Sequence, residues 1–368
     1  MSILPLPAKG LAATLQDAAA LAHAWEPGIS LALGAAGTAD IHAPAGLTLG
    51  EAAIASALKS AKNKIFVSFG NQTEPPGLPA LSSVLEQVLY GSSIGFMAAS
   101  LAAPGLGRTV YQGHWFQDGR LIANLRHEFS MALSGRVTII AHATIAAGPQ
   151  AIRRAVAGCR EQGVTVALLD AIEPTDCTSI AEALSGELLT GGPAWLAGAS
   201  PAATPQCGSP TATGKTAILA NASDRQNLYQ LAAARTAMPF FQITQENHKT
   251  ALDWAAAQQT SFILSAATPP GAPLPAPDTA ALLGELANGL AAHGVRQFVI
   301  AGDAAASAIL ARLGVKTLTS GTAFGGARWL ENETYKFLIK SAGSDGENLF
   351  LGGFEPQIRL NAAAECTS

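Results

Sequence analysis

Apolar residues follow two alternating rhythms along this chain. Short apolar runs, several rich in β-branched and aromatic residues, alternate with stretches whose apolar positions recur at helical spacing. The runs Ile29–Leu33, Lys64–Phe69, Ile94–Leu101, Val137–Ala141 and Val164–Leu169 read as strands. Between and around them, residues 10–25, Leu49–Ser60, Leu81–Tyr90, Gly148–Gln162 and Ile180–Leu189 read as helices. Residues 199–213 are small, polar and proline-rich and break the rhythm, which marks a linker. Beyond it, strands at Ala217–Ala220, Phe240–Ile243, Ser261–Ser265, Gln297–Ala301 and Tyr335–Ile339 alternate with helices at Asp224–Arg235, His248–Gln258, Asp278–His293 and Ala304–Leu313. Alternation of this kind predicts an α/β fold of two domains, each a mostly parallel sheet flanked by helices, spanning 1–200 and 201–368.

Composition narrows the class. Of 368 residues, 49% are hydrophobic and only 13% charged, so a large core is available and disorder is not indicated. The net charge of −4 comes with no basic stripe, which argues against a nucleic-acid partner. The first residues show no basic segment leading into an apolar one, and no uninterrupted apolar stretch is long enough for a membrane span. A cytoplasmic protein with no membrane partner is expected. Cys159, Cys177, Cys207 and Cys366 have no C-x-x-C spacing and read as free thiols. Gly208–Thr216 ends in Gly-Lys-Thr, but the spacing and the linker context both fail a phosphate-binding loop.

Candidate chemistry gathers in the last third. The run Gln297–Ala301 ends in Gly302-Asp303 and opens a helix. Asp303 has two readings: a cap on helix N–H groups, or a ligand group at the carboxyl end of a strand. Tyr335–Ile339 delivers Lys340, Ser341 and Gly343 in a small-residue turn, suited to a phosphate; an ordinary loop with a solvated lysine is the competing reading. Gly321–Gly326 lies between them and reads as a flexible rim. In the first half, Arg108 follows a glycine turn and suits a carboxylate. Thr109 stands beside it, and His114 lies in a hairpin running into Asp118-Gly119, where a structural role is preferred over catalysis.

The order of these pieces resembles the four-carbon acid sugar kinases, whose chains carry an acid-sugar-binding domain and then an ATP-binding domain. Leu101–Thr109 with Gly113-His114-Trp115-Phe116 is similar to the family's P-A-F-P-x-x-G-R-T and hairpin. Ala301–Ala305 resembles its G-G-[DE]-T-[AS] turn, Gly321–Trp329 its G-x-x-x-x-G-x-P-W loop, and Lys340–Gly346 its K-S-G-x-F-G. Asn221-Ala222-Ser223 resembles a remnant of G-S-x-S. The resemblance implies ATP with Mg²⁺, a small sugar acid held by Arg108, Thr109 and His114, and a nucleotide held by Ser223, Gly302, Asp303, Gly325, Gly326, Lys340, Ser341 and Gly343. A homodimer is left open.

Two departures fall where the chemistry belongs. The family's first strand ends in A-D-D-[LF]-T-G-A; this chain reads Leu4–Gly10 before its first helix, without either aspartate. The family's D-S-T-L-R-G-N loop is replaced by Gly70–Pro76, in which Glu74 is one candidate for a replacement carboxylate. No residue is therefore assigned a catalytic role, and weak or absent turnover is expected. The alternative is a non-catalytic paralogue that binds a nucleotide or sugar acid as a sensor or partner.

Overall fold

A computed structural model describes residues 9–25, 29–34, 39–45, 49, 51–60, 64–70, 78–197, 215–221, 225–244, 247–266, 276–324, 326–340 and 348–351. In the first half these form β1 (Lys9–Ala12), α1 (Leu15–Ala24), β2 (Ser30–Leu33), β3 (Ile41–Ala43), α2 (Glu51–Ser60), β4 (Ile65–Ser68), α3 (Leu78–Ser92) and β5 (Met97–Ala99). There follow β6 (Arg108–Tyr111), β7 (His114–Gln117), β8 (Arg120–Asn124), α4 (Leu125–Ala132), β9 (Val137–Ile140), α5 (His142–Ala146), α6 (Pro149–Glu161), β10 (Val166–Leu169), α7 (Pro174–Leu184) and β11 (Leu189–Gly192). The second half contains β12 (Thr216–Ala220), α8 (Arg225–Ala234), β13 (Phe240–Gln242), α9 (His248–Ala257), β14 (Phe262–Ser265), α10 (Ala276–Ala292), β15 (Gln297–Ala301), α11 (Asp303–Arg312), β16 (Thr317–Phe324), β17 (Ala327–Glu331) and β18 (Lys336–Lys340).

The α/β architecture with a mostly parallel sheet holds. The strand runs are buried on both faces, as a parallel sheet between helix layers requires: β4, β10, β12, β14 and β15 contain no exposed residue. The expected pair of separate sheets does not. Strands of both halves join in one sheet of 15, ordered β13-β14-β12-β15-β18-β17-β16-β2-β3-β1-β4-β11-β5-β10-β9. The seam is the antiparallel pair β2–β16, in register Thr317 to Ala32, Leu318 to Leu31 and Thr319 to Ser30. Each half would otherwise present a free strand edge, and pairing them satisfies both rows of backbone groups. The larger hydrophobic core continues across the seam, from Leu11 to Phe298. The linker at 199–213 lies outside the described residues.

Three local readings are corrected. Residues 10–25 are not one helix: Gly10, Leu11 and Ala12 lie in a strand paired with β3 and β4, and the helix starts at Leu15. A Cβ on Gly10 would stand 2.7 Å from Leu21 Cδ2, so this strand needs glycine to let α1 pack so close. Gly321–Gly326 is not a rim alone but part of the β16–β17 hairpin, whose first strand forms the seam. The helix read to Leu189 ends at Leu184, and Leu189 opens a strand.

Candidate functional site

The first-half strands run opposite to those of the second half, because the seam is antiparallel. Even so, strand ends from both halves meet, because α1 packs across β16, β17 and β18. β1 ends at Ala12, and the Ala13 N–H donates to the Ser68 carbonyl at 2.8 Å. The strand that leads into the first helix ends at Ala12, and Ala13 and Thr14 connect it to Leu15, the first residue of α1.

Thr14 is extended and caps α1: its hydroxyl oxygen accepts from the Asp17 N–H at 3.2 Å. Its hydroxyl also lies 3.0 Å from a carboxylate oxygen of Asp17, which is fully buried. The next donor reaches the other half. The Gln16 N–H donates to Asp303 Oδ1 at 3.0 Å, and the Gln16 side-chain amide donates to the Lys340 carbonyl at 2.9 Å. The two competing readings of Asp303 meet here. It is the first residue of α11, with Gly302 as N-cap at φ 110°, ψ 129°, a conformation that favours glycine. Its carboxylate caps α1 rather than its own helix.

Burial pushes the Asp303 carboxyl up to about 6, against the opposing pull of the Gln16 and Leu15 N–H groups and the Thr14 hydroxyl. The residue as a whole is partly exposed, while its carboxyl is deeply buried.

Lys340 is not the solvated lysine of the competing reading. It is 1% exposed, and its ammonium donates to the Asn227 side-chain oxygen at 2.6 Å and lies 5.5 Å from the centroid of Phe350. Gly326 sits in the turn between β16 and β17. Ser223, Gly325, Ser341 and Gly343 lie outside the described residues, as does Glu74.

In the first half, Arg108 is 2% exposed. Its Nε donates to Gln117 at 2.9 Å and its Nη1 to the Gly70 carbonyl at 2.9 Å. The guanidinium thus anchors Gly70, the second residue past the end of β4. Thr109 pairs with Phe116 in the hairpin. His114 has Nδ1 3.1 Å from the Gln112 carbonyl and Nε2 3.5 Å from the Asn124 amide, which fits the structural reading.

Sequence reading missed Asp170, the residue that organises this region. It follows β10, is fully buried, and accepts from the N–H groups of Gln112 (2.6 Å), Gly113 (3.0 Å) and His142 (3.1 Å). Burial raises its pKa while these three donors oppose the rise. Gln112 and Gly113 both have positive φ, 50° and 72°, as a tight two-residue hairpin turn demands. The signal was available, a carboxylate directly after a buried apolar run. Nearby, His142 Nε2 lies 3.2 Å from Asp176, which also caps the start of α7.

Among the described residues no three His, Cys, Asp or Glu side chains gather into a metal cage. Among those residues, too, no helix is long and apolar enough to cross a membrane.

Known proteins bear on this arrangement. A family profile described as "Sugar-binding N-terminal domain" matches residues 78–206. A 3-oxo-tetronate kinase of Burkholderia multivorans is 30% identical over 284 residues, 66% of each chain. The match thus spans slightly under two thirds of that relative's length. A 3-oxo-tetronate kinase of Pseudomonas savastanoi is 27% identical over 301 residues, 70% of each chain. In fold, a solved structure from Salmonella typhimurium LT2 is similar with TM-score 0.71 at 19% identity, covering 93% of this chain and 97% of that one. A Haemophilus influenzae protein assigned to DUF1537 follows at TM-score 0.65 and 18% identity, covering 93% and 98%.

Proposed function

We propose that this chain, which belongs to the four-carbon acid sugar kinase family, transfers the γ-phosphoryl group of ATP to a hydroxyl of a small sugar acid, slowly. The sugar acid is taken by the first half, residues 1–200, near Arg108, Thr109 and His114. The nucleotide is taken by the second half, residues 201–368, near Gly302, Asp303, Gly326 and Lys340, with Ser223, Gly325, Ser341 and Gly343 completing the site. An ATP-consuming reaction of this kind fits the cytoplasm.

One observation carries the reading. Gln16, two residues past the Thr14 cap, hydrogen-bonds both Asp303 and the Lys340 carbonyl. The carboxyl end of β1 therefore meets the carboxyl ends of β15 and β18, the edge of an α/β sheet where ligands bind. Phosphoryl transfer needs both reactants aligned at such a junction, with charge stabilisation around them.

Slowness follows from the same place. Leu4–Gly10 and the residues that lead from it into α1 offer no carboxylate where the family's motif has two, and Gly70–Pro76 lacks its arginine. Loss of a general base alone lowers rates by about 10²–10⁴-fold. A coupled ADP-production assay with ATP, Mg²⁺ and a panel of four-carbon sugar acids tests the reading. Turnover well below the ordinary range of roughly 1–10³ s⁻¹ is expected. The second reading, binding without turnover, draws on the engagement of Lys340 with Asn227 inside the second half. It predicts a thermal shift with ATP and no ADP.

A further inference from the structure

We infer that Gln16 is a positioning residue for phosphoryl transfer, fixing the ends of β15 and β18 against the start of α1 so that nucleotide and sugar acid meet in line. The inference rests on the kinase reading above. Gln16 is 1% exposed and so is closed off from both reactants. It acts through two groups of the second half. Its backbone N–H donates to Asp303 Oδ1 at 3.0 Å, and its side-chain amide donates to the Lys340 carbonyl at 2.9 Å. Asp303 opens the helix that follows β15, and Lys340 is the last residue of β18. The two strands are neighbours, in register Ala301 to Lys340. One residue of the first half therefore holds the ends of two adjacent strands of the second.

The end of β18 is where such a hold matters. β17 pairs with β18 at Lys336, Phe337 and Leu338, and β18 then runs on to Ile339 and Lys340. The Gln16 amide meets the backbone beyond those paired positions, from a helix instead of a strand. That helix is a firm base: Thr14 caps it, and Leu15 to Ala22 are all buried. Methionine at position 16 would fill similar space but offer no donor.

Alignment weighs more in this chain than in a kinase with a base. No carboxylate is assigned as proton acceptor, which leaves positioning and charge stabilisation. The sugar-acid hydroxyl oxygen bonds the γ-phosphorus as the bond to the β–γ bridging oxygen breaks. That electron pair leaves with ADP, and the hydroxyl proton passes to water. A misplacement of about 1 Å costs on the order of 10²-fold in such a step. Without the Gln16 amide both reactants still bind, but the strand end bearing Lys340 loses its tie to α1. The loss therefore falls on kcat rather than on KM.

The test compares the parent protein with Q16M and Q16E, both of which keep the backbone N–H that meets Asp303. ADP production is measured with ATP, Mg²⁺ and the sugar acid giving the highest rate, at a temperature where circular dichroism shows each protein folded. In Q16M, kcat should fall about 10–10²-fold with both KM values little changed. Q16E supplies a readout that packing alone would not move. Its carboxylate cannot donate at pH 8, but buried against a carbonyl it takes up a proton as pH falls and donates again. Its kcat relative to the parent's should rise from pH 8 to pH 5, while the same ratio for Q16M stays flat. If Q16M does not fold, the Q16E ratio decides. A folded Q16M with the parent's kcat, a rate loss confined to KM, or a flat Q16E ratio would overturn this inference and leave the kinase reading standing. A parent that produces no ADP with any sugar acid would overturn both.

Discussion

Asp303 and Gln16 are 287 positions apart in the chain, and their carboxylate oxygen and backbone N–H stand 3.0 Å apart. A helix cap is ordinarily a local device, supplied by the residue just before the helix. Here Thr14 provides the local cap, and a residue from the other half of the chain satisfies a further donor of the same helix end. The start of α1 is therefore held by both halves.

That arrangement has a pH signature. The folded Asp303 carboxyl has its pKa raised from 3.8 to about 6. A group raised in this way favours folding while protonated, below its unfolded pKa, and the advantage is lost as pH rises through the folded value. At neutral pH the ionised, buried carboxylate should cost about 2–3 kcal/mol. In D303N the neutral amide avoids this cost, so the variant should gain stability relative to the parent between pH 4 and pH 7. Urea unfolding at four pH values across that window measures it; a constant difference would show that burial is not the cause.

Gln16→Ala removes the amide that bonds the Lys340 carbonyl and leaves that carbonyl short of a donor in a buried site. A loss of about 1–3 kcal/mol is expected. Denaturant midpoints of the parent and variant, with unchanged slopes, would check it.

Lys340→Met keeps most of the side-chain volume but deprives the buried Asn227 oxygen of its 2.6 Å donor. Stability should fall by about 1–3 kcal/mol even without nucleotide. Isothermal titration with ATP–Mg²⁺ then separates the roles. Weaker ATP binding, beyond what the stability loss explains, would mark Lys340 as a nucleotide contact.

His42 is fully buried in β3, and neither of its ring nitrogens has a hydrogen-bond partner among the described residues. Burial, with the Lys9 charge nearby, lowers its pKa, so the folded state holds it neutral. The unfolded chain takes up a proton below its ordinary value, and stability is lost as pH falls through that range. His42→Leu should therefore stabilise the fold by about 1–3 kcal/mol, and by more at pH 5 than at pH 8. Thermal melts at both pH values decide the matter.

Much of the fold was legible because its strands are buried on both faces and so appear as plain apolar runs. Phe66, Ile218 and Phe298 belong to such runs. β1 was not legible: Gly10, Leu11 and Ala12 merge in composition with the alanine-rich helix that follows, and only packing against Leu21 and Trp25 separates them. The seam was hidden for another reason. Strand pairing between residues near 31 and residues near 318 leaves no local trace. Asp303 was picked out as a site residue, yet its position in the sequence does not say which helix its carboxylate faces. Lys340 stands at a strand end, as read, but its burial follows from Asn227 and Phe350 on distant segments.

The pairing of β2 with β16 also sets a timetable for synthesis. Ser30–Leu33 leaves the ribosome long before its neighbour Thr317–Phe324. At about 5–20 residues per second, the outer edge of β2 waits roughly 15–60 s for its partner. Over that interval a nascent chain shows an unpaired strand edge to every other chain on the same polysome. Slowing translation between the two strands should lengthen that exposure, and yield should then depend on whatever in the cell shields the edge.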